Sequence, residues 1–276
     1  MPDPSATPGW VRVPGGAVPV LDIGSAQGRP LVLVPGLSDG LSPVTEPAAR
    51  ALFAAVPLPL DRYRALVLSH PVPVRPGWST RSLAARLAVA LDRLLDRPAV
   101  LVAHSLGGMV AQHLAAAVPD RVAGMVLSAS TAQADAGLRR VLSRWDRWLI
   151  EGAHERFRVD AIRTSVTGGV QREHLALHAA APHTIPTPAQ IARHLTLSAA
   201  CAGHDALADL ERITAVSLVL AGGRDEVVSP RASAELAHCL PNARFEVFDD
   251  LGHGFPEQAR GPFQARVARF LADLQW

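Results

Sequence analysis

The sequence predicts an α/β fold: a doubly wound, mostly parallel eight-stranded sheet with an inserted helical cap. Three observations carry this prediction. Short apolar, partly β-branched runs alternate with segments of helical periodicity on both sides of the middle of the chain, the pattern that builds parallel sheets from βαβ units. The apolar run Pro98 to Val102 passes into a helix-like segment, Met109 to Val118, through the tight stretch Ala103-His104-Ser105-Leu106-Gly107-Gly108. Between Ser130 and about Ala206 strand signals vanish and helical segments follow one another. The division drawn is a core of residues 1–130 and 207–276 and a cap of residues 131–206.

Taken in order, residues 1–9 carry prolines and read as a loose tail. Trp10 to Ile23 makes two strands joined at Gly15-Gly16, and Pro30 to Val34 a third. Arg64 to Ser69 is a short strand ending at His70-Pro71, after which a proline-rich loop runs to Gly77. Thr80 is placed to N-cap a helix from Arg81 to Leu95, with Leu83, Leu87, Leu91 and Leu94 at helical spacing. The strand Pro98 to Val102, its helix and the strand Val122 to Leu127 follow. Within the cap, Leu138 to Ile150 carries Leu142, Trp145 and Leu149 on one face, and helices are expected near Phe157 to Val166, Glu173 to Ala181 and Pro188 to Cys201. The strand Ala215 to Ala221, a helix from Pro230 to Cys239 with proline in its first turn, and the strand Arg244 to Phe248 complete the series.

The serine of the central turn has a chemical reading. A hydroxyl is a poor nucleophile unless held exposed beside a base. A tight strand-to-helix turn holds it so and aims the unpaired N–H groups of the helix N-terminus at the same point. Such a serine needs an acid and a histidine further along the chain, in that order. Asp225 lies in Gly222-Gly223-Arg224-Asp225-Glu226-Val227-Val228, just past a strand, and His253 lies in Leu251-Gly252-His253-Gly254, again just past one. The bland readings are Ser105 as a plain helix cap, Asp225 as a turn former or partner of Arg224, and Asp249 or Asp250 as the acid.

These three segments, in this order, resemble the α/β-hydrolase superfamily from about Leu31 to the C-terminus. The resemblance implies Ser105 as nucleophile, His253 as base and Asp225 as the residue orienting it. It also implies an oxyanion hole from the backbone N–H groups of Leu106 and Leu37, the latter in Pro35-Gly36-Leu37-Ser38-Asp39-Gly40. Two positions depart from the family pattern: Ala103 stands where glycine is usual, and Pro35 where histidine is usual. A cap at this place shapes the substrate pocket. Ser38, Met109, Trp145, Trp148 and Phe157 are the candidate pocket residues, each of which also fits an ordinary core position.

Bulk properties narrow the rest. Charged residues make up 19% of the 276, the net charge is +2, and all 27 basic residues are arginine. They are scattered among acidic ones, so no nucleic-acid partner is expected. No metal-ligand motif appears, no cofactor is expected, and Cys201 and Cys239 do not suggest a disulfide scaffold. No apolar stretch reaches membrane-spanning length and Met1-Pro2-Asp3-Pro4-Ser5 lacks signal-peptide character, so a cytoplasmic monomer or homodimer without membrane contact is expected. The expected activity is serine hydrolysis of a small or medium carboxylic ester, lactone or thioester. The alternatives are a ligand-binding homologue with little turnover, or a perhydrolase or C–C hydrolase on the same residues.

Overall fold

The computed structural model describes residues 7–37, 43, 62–181 and 184–275. Eight strands make one sheet: β1 (Thr7–Val13), β2 (Gly16–Gly24), β3 (Arg29–Val34), β4 (Tyr63–Leu68), β5 (Ala99–His104), β6 (Val122–Ser128), β7 (Val216–Gly222) and β8 (Ala243–Phe248). Their spatial order is β1-β2-β4-β3-β5-β6-β7-β8. β2 runs against both of its neighbours, and from β4 to β8 every pairing is parallel. The described helices are α1 (Thr80–Leu94), α2 (Leu106–Ala117), α3 (Ala136–Ile150), α4 (His154–Ser165), α5 (Gly169–Ala180), α6 (Pro188–Ala202), α7 (Leu207–Leu210), α8 (Pro230–Cys239), α9 (Phe255–Gln258) and α10 (Arg260–Asp273).

The sheet is buried on both faces, so its inner strands read as continuous apolar runs. Side chains alternate between two cores. Leu101 and Ala103 of β5 pack with Leu87 and Leu91 of α1 and with Val110 and Leu114 of α2. Val100, one residue out of phase, faces the other side with Phe263, Val267, Phe270 and Leu271 of α10. The sequence-based expectation assigns no element after the last strand, yet α9 and α10 close that second core. The signal was present in the spacing of those four residues, behind a start broken by Pro256 and Gly261.

Ser79, not Thr80, caps α1: its side chain accepts from the Ser82 N–H, and Thr80 is the first helical residue. The Thr80 hydroxyl is buried instead between two imidazoles, 3.0 Å from His204 Nδ1 and 3.2 Å from His113 Nε2. His113 Nδ1 in turn lies 2.6 Å from Asp209 Oδ2. This network joins α1 and α2 to the point where the chain leaves the helical insertion. A bridge between Gln133 and Asp205, with Ala134 N–H donating to His204 O and Ala206 N–H donating to Ala132 O, draws the two ends of the insertion together.

Burial of imidazoles has a consequence for acid stability. His70, His104 and His204 are held down to about 3 and His194 to about 4, each mainly by desolvation. Their folded values lie below the unfolded value of 6.5, so the unfolded chain takes up protons that the folded one refuses. Stability from these groups is present above that value and is lost as pH falls toward 4. Each proton is worth about 1.4 kcal/mol per pH unit. Asp146, pushed up to about 6 by burial, works in the opposite direction for one proton. The urea midpoint is therefore expected to be clearly lower at pH 5 than at pH 7.5, and an unchanged midpoint would contradict this balance.

Candidate active site

The centre of the site is the turn between β5 and α2. Ser105 has φ 53° and ψ −121°, a conformation that side-chain-bearing residues seldom adopt. The turn is possible because Leu106 is followed by two glycines, Gly107 and Gly108. A Cβ on Gly107 would lie 2.1 Å from the Val34 carbonyl oxygen, and one on Gly108 would lie 2.6 Å from Ser130 Oγ. The start of α2 is thus pressed against the end of β3 and the loop after β6. Ser105 does not cap the helix with its side chain. Its Oγ lies 3.0 Å from His253 Nε2.

His253 and Asp225 come from the loops after β8 and β7. Backbone contact between these loops leaves no room for side chains: a Cβ on Gly222 or Gly223 would lie 2.4 Å from the Gly252 or Asp249 carbonyl oxygen. Asp225 Oδ1 accepts from the N–H groups of Val227 and Val228 at 2.8 and 2.9 Å. Its Oδ2 is 2.8 Å from His253 Nδ1. An ionised carboxylate only accepts, so Nδ1 carries the proton and donates to it, which leaves the Nε2 lone pair facing the Ser105 hydroxyl. Asp250 is exposed and paired with Arg224, so neither residue takes part in this chain.

The loop after β3 passes directly against the serine, where a Cβ on Gly36 would stand 3.1 Å from Ser105 Cβ. Leu37 follows and lines the cavity above Ser105. The Leu106 N–H opens the first turn of α2 and has no partner within the helix. Ser38 lies outside the described residues. Behind the loop, His70 is fully buried against the Pro35 and Gly36 backbone, and Arg193 of α6 donates to the carbonyls of His70 and Pro71 at 3.0 and 2.6 Å.

A cavity of about 580 Å³ opens over Ser105 and His253. Its apolar wall comes from the insertion: Leu138, Leu142 and Trp145 of α3, Phe157 and Ile162 of α4, and Leu175 of α5. Two of the expected pocket residues, Trp145 and Phe157, are in this wall. Met109 and Trp148 are not. Met109 is fully buried beneath the cavity, its sulfur receiving the Cys201 thiol at 3.5 Å. The buried stripe of α3 runs Leu138, Leu142, Trp145, Leu149 at helical spacing, and Trp148 sits one step off it beside the Arg144 guanidinium. The insertion is also tied to the histidine loop, since Gly254 N–H donates to Ser165 O at 2.8 Å and Gln258 bonds both ways with Thr167.

Among the described residues, six polar wall residues escaped sequence reasoning, Ser165, Gln171, Gln258, His104, His194 and Glu257, of which the last three are titratable. His104 had a signal, its place directly before Ser105. Its ring stands 5.0 Å from that of His253, and its Nδ1 is 3.1 Å from Ser128 Oγ. His194 and Glu257 had none, since each reaches the site only through the packing of its helix. Among the described residues no group of three His, Cys, Asp or Glu is placed to hold a metal ion, and no helix is long and apolar enough to cross a membrane.

The family model for the alpha/beta hydrolase fold matches residues 29–259. The chain belongs to the α/β-hydrolase family. Among curated proteins, this α/β-hydrolase is 52% identical to lipase LipV of Mycobacterium tuberculosis, but over 50 residues only, 18% of this chain and 19% of that protein. It is 28% identical over 254 residues to the carbamate-hydrolase candidate RutD of Caulobacter vibrioides, covering 90% of this chain and 92% of RutD. In fold it is similar to the enol-lactonase of Burkholderia xenovorans LB400, with a TM-score of 0.79 at 19% identity over 96% of this chain and all of the other.

Proposed function

We propose that this α/β-hydrolase is a serine hydrolase that cleaves a small or medium carboxylic ester, lactone or thioester through an acyl-enzyme on Ser105. The observation that carries the reading is the continuous Ser105–His253–Asp225 hydrogen-bond chain at the floor of a mostly apolar cavity. In this reading His253 Nε2 takes the Ser105 proton as Oγ bonds to the substrate carbonyl carbon. Asp225 holds the ring in the tautomer that can accept and stabilises the imidazolium that forms. The N–H groups of Leu106 and Leu37 receive the negative charge that develops on the carbonyl oxygen. His253 then gives its proton to the leaving alkoxide or thiolate, and takes another from the water that frees the acid. The likeness of a short segment to a lipase and of the fold to an enol-lactonase agrees with the class.

Among the described residues no arginine lines the cavity, and the chain has no lysine, which favours an uncharged acyl group. The competing reading, a binding protein with little turnover, separates by kinetics. Phenyl hexanoate, δ-valerolactone and S-phenyl thiohexanoate are expected to include at least one substrate with many steady turnovers per site. A single stoichiometric burst followed by retained product, on all three, would favour the binding protein.

A further inference from the structure

Where α6 meets α3 at the edge of the apolar wall, the described residues hold a polar cluster that the proposed mechanism does not use. His194 of α6 is 2% exposed and forms part of the cavity wall, its ring edge-to-face with Phe157 at 5.3 Å. Its Nε2 is buried with no hydrogen-bond partner among the described residues. Opposite stands Asp146 of α3, whose Oδ1 is also buried without a partner, 3.6 Å away. Its other oxygen, Oδ2, accepts from the Ser198 hydroxyl at 2.8 Å, which fixes the carboxylate. A separation of 3.6 Å is too long for a hydrogen bond and too short to admit a water between the two atoms.

Two orphaned buried polar atoms facing each other cost stability unless some state of the protein satisfies them. A small turn of the ring brings Nε2–H into donation to Asp146 Oδ1. The imidazole is neutral, so Nδ1 is then bound to be an acceptor, with its tautomer set by the carboxylate. An acceptor on an otherwise apolar wall selects a ligand that brings a donor to that point. An all-hydrocarbon chain there leaves the polar atoms unpaired, and a site built this way discriminates by orders of magnitude.

We infer that the Asp146–His194 pair is a specificity site for a hydroxyl group on the acyl part of the substrate, so that this protein prefers hydroxyacyl esters to plain ones. The inference rests on the serine-hydrolase reading and names the substrate class within it. His194 is the specificity residue that meets the acyl chain, and Asp146 is the positioning residue behind it, outside the cavity lining.

The test compares kcat/KM for phenyl hexanoate, phenyl 3-hydroxyhexanoate and phenyl 6-hydroxyhexanoate, esters that share a leaving group and chain length. For the wild type, at least one hydroxylated ester is expected to exceed hexanoate by about tenfold or more. His194→Phe is expected to erase that ratio, by lowering kcat/KM for the hydroxylated esters relative to hexanoate. Asp146→Asn, which keeps the shape of the helix pair, is expected to lower the ratio too, and covers the case in which His194→Phe folds poorly. Hexanoate preferred over both hydroxylated esters in the wild type, or a ratio untouched in a folded variant, would overturn the inference while leaving the hydrolase reading in place. No turnover of any of the three esters by folded wild type would overturn the inference, and absence of turnover on δ-valerolactone and S-phenyl thiohexanoate as well would overturn the hydrolase reading with it.

Discussion

Ser105→Ala is expected to lower kcat on an ester substrate by about 10⁶-fold and to leave the fold intact. The hydroxyl is not used to hold the turn. It caps no helix, and its one side-chain partner is His253 Nε2 at 3.0 Å. The positive φ of the turn is borne by alanine at much the same cost as by serine, and the Cβ that meets the Gly36 backbone is retained. What disappears is the atom that bonds to the carbonyl carbon in the proposed reaction. Steady-state kinetics with a thermal melt on the same preparation checks both halves of the expectation. Turnover within tenfold of wild type would remove Ser105 from the reaction.

Asp225→Asn is expected to cost about 10⁴-fold in kcat with KM little changed. The amide has the volume of the carboxylate, so packing survives. Its oxygen keeps the Val227 and Val228 N–H donors, because both lie on the Oδ1 side at 2.8 and 2.9 Å. The amide NH₂ is then forced toward His253 Nδ1 and would meet that ring's own N–H. The ring relieves the clash by moving its proton to Nε2, which can no longer accept from Ser105. A loss smaller than about tenfold would mean that the Asp225–His253 bond does not set the tautomer, and Asp249 or Asp250 would need testing in its place.

The parts of this molecule legible in its sequence are those in which local pattern and tertiary role coincide. The strand ending at Ser105, the glycines that let α2 press on β3, and the placing of Asp225 and His253 after their strands are all written within a few residues. Cap helices were legible as helices for the same reason, through stripes such as Leu138, Leu142 and Trp145. Which residues of those helices face the cavity is a different matter. Trp148 looks as eligible as Trp145 until the rotation of α3 is known, and Met109 looks exposed to the site until Cys201 is seen packed over it. His194 and Asp146 meet only because α3 and α6 lie side by side. The hydroxyl of Thr80 was assigned to a helix cap because a cap is a local function, whereas its actual partners, His113 and His204, lie 33 and 124 residues away.

The measurement that bears most directly on the central claim is intact-mass analysis of wild type and Ser105→Ala after treatment with a fluorophosphonate. Attack by an activated serine oxygen forms an O–P bond and expels fluoride, so the adduct reports nucleophilicity without requiring the right acyl group. The account predicts one adduct on wild type and none on Ser105→Ala. A folded wild type that stays unlabelled, or a variant labelled as readily as wild type, would contradict it.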